Sequence, residues 1–151
     1  MSSTRTGYII LLLIVVLDQL TKYIMMNHVE IPQAVFPFMN FVWVWNNGVS
    51  FGMLQHSAAV MPYALSVLAL AICIILNRWL QKSSDTCSVW GLGLIMGGAI
   101  ANVFDRLRFG AVFDFLDFYV GDWHWPAFNV ADSAIVIGVV MLLLGGSRKS
   151  A

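Results

Sequence analysis

Four apolar stretches, at about 7–24, 58–80, 89–104 and 128–144, dominate the 151-residue sequence. Each approaches the roughly 20 residues that a helix needs to cross the hydrocarbon core of a bilayer. In hydrocarbon every backbone N–H and C=O must find its partner within the protein, so such stretches fold as helices. Composition agrees, with 60% hydrophobic and only 11% charged residues, where an ordinary soluble domain carries about a quarter charged. The expectation is an all-α membrane protein of four transmembrane helices, folded as a single domain over 1–151 without internal repeats. The first stretch follows Arg5 much as a secretory signal would, but Asp18, Gln19 and Lys22 lie in it and no small-x-small cleavage site follows. It is read as a retained helix.

Four spans put both termini on one side, together with the loop between the second and third. That side carries Arg5, Arg78, Lys82, Arg148 and Lys149, whereas the other has only Lys22, Arg106 and Arg108, all near span ends. The positive-inside rule therefore places the termini in the cytoplasm. Of the eight acidic residues, all but Asp85 then gather toward the outer face. Glu30, Asp85 and Asp122 read as solvated loop residues. A net charge of zero and the lack of a basic patch argue against nucleic acid as a partner.

Between the first two spans, the outer segment at about 25–57 is the one place for a small extramembrane unit. Phe41, Trp43 and Trp45 alternate there with Val42 and Val44, and Asn46-Asn47-Gly48 follows. This pattern predicts a strand running into a hairpin-type turn, hence a small β-sheet segment. The tryptophans would suit the headgroup layer, so an amphipathic sheet on the membrane surface satisfies both readings. Gly91, Gly93, Gly97 and Gly98 in the third span invite close helix packing. Cys73 and Cys87 show no paired spacing and are read as structural.

Polar residues inside the spans carry the functional signal, because an ionisable group in a membrane helix is costly, about 2.5–3.5 kcal/mol at its centre. Asp18 and Lys22 are four apart, Asn102 and Arg106 are four apart with Asp105 between them, and Asn129 and Asp132 are three apart. Each pair shares a helix face, and all lie near the same membrane surface, so one inward cluster can hold them. Pairing of Asp18 with Lys22 and of Asp105 with Arg106 would account for part of it structurally. Asp114 and Asp132 are left without an obvious cation. Asp114 sits in Gly110-Ala111-Val112-Phe113-Asp114-Phe115, apolar surroundings that raise a carboxyl pKa, as does a second carboxylate alongside. Two carboxyls sharing a proton are the device of aspartic proteases. The residues alone leave a catalytic pair, a proton relay and a structural network all open. His28, His56 and His124 are isolated, and no metal or cofactor is expected.

Taken in order, Asp18-Gln19-Leu20-Thr21-Lys22, Asn46-Asn47-Gly48-Val49-Ser50-Phe51, the run from Gly97 to Arg106, Gly110 to Phe115, and Phe128-Asn129-Val130-Ala131-Asp132 resemble the lipoprotein signal peptidase (signal peptidase II) family across nearly the whole chain. That resemblance implies an aspartyl endopeptidase of the bacterial inner membrane. It would remove the signal peptide from prolipoproteins by cutting before a diacylglyceryl-modified cysteine. Asp114 and Asp132 would be the catalytic dyad, and Asp18, Lys22, Asn46, Gly48, Asn102, Arg106 and Asn129 would line or brace the site. Asp105 would support the fold nearby. The resemblance also implies a cradle-like sheet over a site facing the periplasm. The expected partners are lipid-modified precursors and membrane lipids, with the protein itself a monomer. Asp117-Phe118 repeats Asp114-Phe115, but the preceding Gly110-Ala111-Val112 selects Asp114 and leaves Asp117 as an interfacial residue. The alternative is a small proton-coupled carrier that uses the same carboxylates as a relay.

Overall fold

A computed structural model describes residues 3–48 and 60–146. It contains four helices: α1 (Ser3–His28), α2 (Met61–Lys82), α3 (Thr86–Phe109) and α4 (Val130–Gly146). Of these, α1, α2 and α3 are long and apolar enough to cross a membrane, whereas α4 has 17 residues. The start of the expected second span at 58 and Val49-Ser50-Phe51 of the second motif lie outside the described residues.

The middle layer is α3, packed between α1, α2 and α4. Its glycines explain how. A Cβ on Gly93 would sit 2.8 Å from the Gly7 carbonyl oxygen, and one on Gly97 would sit 2.8 Å from that of Leu11, so this edge lies directly on the α1 backbone. A Cβ on Gly91 would meet the Gly138 carbonyl at 2.8 Å, and one on Gly98 would collide with the Ala131 carbonyl. The second edge therefore lies on α4. Without a hydrophobic drive between helices in lipid, such close backbone approach supplies the dispersion contacts that hold a bundle. α2 joins through Cys73 and Leu80, which pack on Val89, Leu92 and Met96. The outward faces of α1, α2 and α4 expose Leu12, Val16, Val67, Ile75, Val140 and Leu143, as lipid-facing helices should. Asp85 does more than the solvated role expected of it: its side chain caps α3 by accepting from the Ser88 N–H at 2.9 Å.

Four antiparallel strands form one sheet in the order β1 (Gln33–Phe36), β2 (Met39–Asn46), β3 (Val112–Val120) and β4 (Trp123–His124). The expected strand at Phe41–Trp45 is present within β2. Two features correct the sequence reading. The sheet is not confined to the segment between the first two helices, because β3 and β4 come from the connection between α3 and α4. Residues 112–115 are buried, so β3 shows no period-2 alternation to betray it. The hairpin also lies on the other side of the strand, where β2 follows β1 through Pro37 and Phe38, while Asn46-Asn47-Gly48 makes a local turn in which the Gly48 N–H donates to Asn46 Oδ1 at 2.8 Å. At the end of α3, Gly110 takes a left-handed conformation (φ 72°) and its N–H returns to the Arg106 carbonyl at 3.0 Å. That cap turns the chain directly from α3 into β3.

Candidate active site

The site forms where the end of α3, the start of α4, α1 and the β2–β3 ladder meet. Asp114, on β3, is only 1% exposed. Asn46 lies on the neighbouring strand β2, two residues beyond Val44, which is the register partner of Asp114. Its Nδ2 donates to Asp114 Oδ2 at 3.0 Å. Because the Gly48 N–H already occupies Asn46 Oδ1, the amide end of Asn46 is the end left for the carboxylate. Asn129, fully buried, donates from Nδ2 to Asp114 Oδ1 at 2.7 Å.

One turn along, Asp132 and Asn129 exchange bonds. The Asp132 N–H donates to Asn129 Oδ1 at 2.9 Å, and the Asn129 N–H to Asp132 Oδ2 at 3.3 Å. This reciprocal cap at the start of α4 has the logic of a capping box. Asn102, from α3, donates through Nδ2 to Asp132 Oδ1 at 2.8 Å and accepts from Asn129 Nδ2 at 3.3 Å. Every carboxylate oxygen of Asp114 and Asp132 therefore receives a donor, and Asn129 touches both side chains. Burial is the largest influence on Asp114 and pushes its carboxyl up to about 6; the hydrogen bond from Asn46 opposes this and the charge of Asp132 adds to it. Asp132 is less enclosed and borders a groove of about 460 Å³ lined by Trp125, Phe128, Ser133, Val136 and Ile137.

Beneath this pair lies a buried charge network. Lys22 bridges Asp18 at 2.8 Å and Asp105 at 2.7 Å. The Asp18–Lys22 pairing expected from the spacing is present, but Asp105 pairs with Lys22 rather than Arg106, because adjacent residues on a helix do not face each other. Asp105 Oδ2 also accepts the Phe113 N–H at 3.2 Å, which ties the start of β3 to α3. Asp18 Oδ1 accepts the Ala131 N–H at 2.9 Å and so ties α1 to the first turn of α4. Gln19, to which the sequence reading assigned no role, bridges Asp105 Oδ1 at 2.8 Å and Asp18 Oδ2 at 3.3 Å. Its position beside Asp18 was its only visible signal. Arg106 lies close enough for its charge to act on Asp132, Asp105 and Asp114, and its buried Nε has no hydrogen-bond partner among the described residues.

Asp117 departs from its interfacial reading. It is 6% exposed, accepts from Asn40 Nδ2 at 3.1 Å and meets His124 Nδ1 at 2.9 Å. The structure thus brings together Asp114, Asp132, Asn46, Asn102 and Asn129, stacks Asp18 and Lys22 beneath them, and leaves Asp117 outside.

Helices of membrane length, a small sheet and paired carboxylates at their junction define an enzyme of the membrane rather than a soluble domain, and solved structures agree. Two bacterial membrane enzymes determined by the in meso method match with a TM-score of 0.79. One, at 2.3 Å resolution, is 29% identical over 97% of this chain and 90% of its own; the other, at 1.9 Å, is 30% identical over 93% and 91%. The family model for signal peptidase (SPase) II matches residues 10–147, and the chain belongs to that family of proteases. Among its relatives, the lipoprotein signal peptidase of Polynucleobacter necessarius subsp. necessarius (strain STIR1) is 42% identical over 93% of this chain and 88% of its own. That of Methylorubrum extorquens (strain PA1) is 41% identical over 99% and 90%.

Proposed function

We propose that this protein removes signal peptides from prolipoproteins, cutting before a diacylglyceryl-modified cysteine, with Asp114 and Asp132 as an aspartyl dyad. The observation that carries the mechanism is the convergence of the two carboxylates on one shared partner, Asn129, in a pocket where Asp114 is nearly inaccessible. Family membership carries the substrate class. Two close carboxyls in such a pocket hold one proton between them, and they titrate as a pair. The ionised member removes a proton from water as the water attacks the peptide carbonyl. The protonated member hydrogen-bonds the carbonyl oxygen, and a carboxyl proton then passes to the departing amine. Asn46, Asn102 and Asn129 hold both carboxyls in place, while Asp18, Lys22 and Asp105 brace the helix ends that present them. Gly48 fixes the Asn46 amide, and the Arg106 guanidinium supplies positive charge beside the dyad.

All four helices cross the bilayer in this reading, with termini in the cytoplasm and the dyad toward the periplasmic face of a bacterial inner membrane. At 1.5 Å per residue the 17 residues of α4 reach roughly 26 Å, close to the ~30 Å hydrocarbon thickness. The basic residues favour the same orientation. The groove beside Asp132 is apolar along α4, which suits a substrate whose signal helix and acyl chains stay in lipid while the scissile bond meets water at the interface. The test is cleavage of a diacylglyceryl-modified precursor by purified protein. Asp114→Asn and Asp132→Asn should each abolish it, and wild-type activity in either variant would remove that residue from the dyad.

A further inference from the structure

We propose that Lys22 is a positioning residue for the dyad, acting through Asn102 by dictating which end of its side-chain amide faces Asp132. This rests on the reading of Asp114 and Asp132 as the reacting pair. Lys22 is 3% exposed, and an ammonium has three N–H donors and no acceptor. Its Nζ meets three acceptors: Asp105 Oδ2 at 2.7 Å, Asp18 Oδ2 at 2.8 Å and Asn102 Oδ1 at 3.3 Å. Two carboxylates already exceed the charge of one ammonium, so the third contact is not needed for neutralisation. It is the contact that points to the dyad.

A side-chain amide is nearly symmetric in shape but has an acceptor at one end and donors at the other. On one side of Asn102 stand Lys22 Nζ and Asn129 Nδ2, both donors, and the oxygen faces them. The nitrogen is thereby turned to Asp132 Oδ1 at 2.8 Å. Rotated by half a turn, the amide would set its N–H groups against an ammonium and another amide nitrogen, and its oxygen against the Asp132 carboxylate. Lys22 makes that arrangement unfavourable, although no contact with Asp132 itself is involved. Asn129 Nδ2 alone is a weaker lock, because it also serves Asp114 at 2.7 Å and the Phe113 carbonyl at 3.3 Å. Asp18 and Asp105 keep the lysine on station, and their own bonds to the Ala131 and Phe113 N–H groups tie that station to the two segments carrying the aspartates.

A double-mutant cycle on the full-length protein in detergent tests this, with kcat and KM for a diacylglyceryl-modified precursor as readouts. Lys22→Met and Asn102→Ala should each lower kcat by about tenfold or more with KM within about twofold, and the double variant should be no slower than the slower single one. Losses that multiply in the double variant would show that Lys22 does not act through Asn102 and would overturn the proposal. If Lys22→Met does not fold, Lys22→Met/Asp18→Asn removes a carboxylate charge with the ammonium and enters the cycle, with Asp18→Asn as its reference. Asn102→Asp, nearly isosteric, keeps an acceptor toward Lys22 but has no donor for Asp132. It should be as slow as Asn102→Ala, and wild-type kcat in it would also overturn the proposal. Failure of the dyad reading is seen separately, as retained activity in Asp114→Asn.

Discussion

Asp114 and Asp117 stand three residues apart on one strand, each followed by phenylalanine, yet they live in different chemistry. Residues three apart on a strand point to opposite faces. Asp114 turns toward the helices and meets Asn46 and Asn129, with the charge of Asp132 close enough to act on it. Asp117 lies opposite Asn40 in the β2–β3 ladder and holds His124 from β4, whose side chain is half exposed. The first carboxylate is surrounded by groups able to manage a shared proton. The second has a titratable partner open to solvent and serves the hairpin. What separates them is strand parity and the arrival of a second helix, not the local dipeptide.

The largest expected effect tests that division directly. Asp114→Asn should reduce turnover of a lipid-modified precursor by more than about a thousandfold, within the range typical of lost acid–base groups, whereas Asp117→Asn should leave kcat within about threefold. Equal losses in a cleavage assay would erase the distinction.

Removing the partner of Asp114 without touching either carboxylate is the next perturbation. Gly98→Leu places a Cβ against the Ala131 carbonyl, and so pushes away the turn that carries Asp132. Overpacking at such a contact costs about 1–3 kcal/mol, read as a lowered Tm in detergent, and cleavage should fall with it. Retained stability and activity together would mean that α4 docks less tightly than the structure indicates.

A pH series distinguishes the two carboxylates by stability. The Asp114 carboxyl is raised from 3.8 to about 6 in the folded protein. Between those values the folded state holds a proton that the unfolded chain has released. Its stabilising contribution is therefore complete below about 3.8 and is lost as pH rises through about 6. Wild type should lose on the order of 1–3 kcal/mol between pH 4 and pH 8 from this group alone. Asp114→Asn should lack that component, which is visible as a smaller change in Tm across the series. A series unchanged by the substitution would show that Asp114 ionises freely.

The smallest effect belongs to the other side of the strand. His124→Gln removes the half-exposed partner of Asp117 and should cost less than about 1 kcal/mol, as exposed ion pairs generally do, with cleavage unaltered. A large loss of turnover would make the β3–β4 hairpin part of the active site.

Much of this protein was legible before folding. Apolar run lengths located the helices, and helical spacing put Asp18 with Lys22 and Asn129 with Asp132. The ordered motifs pointed to the signal peptidase II family. Less legible were β3, whose buried opening residues show no alternation, and the partner of Asp105, since Lys22 is distant in sequence. Gln19 and the capping role of Asp85 were equally hidden, because each depends on which group the other end of the contact presents.

Sequence by itself therefore determined the solvent, through the cost of placing polar groups in hydrocarbon, and it determined which residue types were retained despite that cost. Only tertiary structure decided which carboxylates meet. Periodicity assigns residues to a face of one helix or strand, but the meeting of Asp114 with Asn129 and of Asn102 with Asp132 requires α3, α4 and β3 to be docked against one another. That docking is set by glycine contacts between backbones, and no spacing within a single element encodes it.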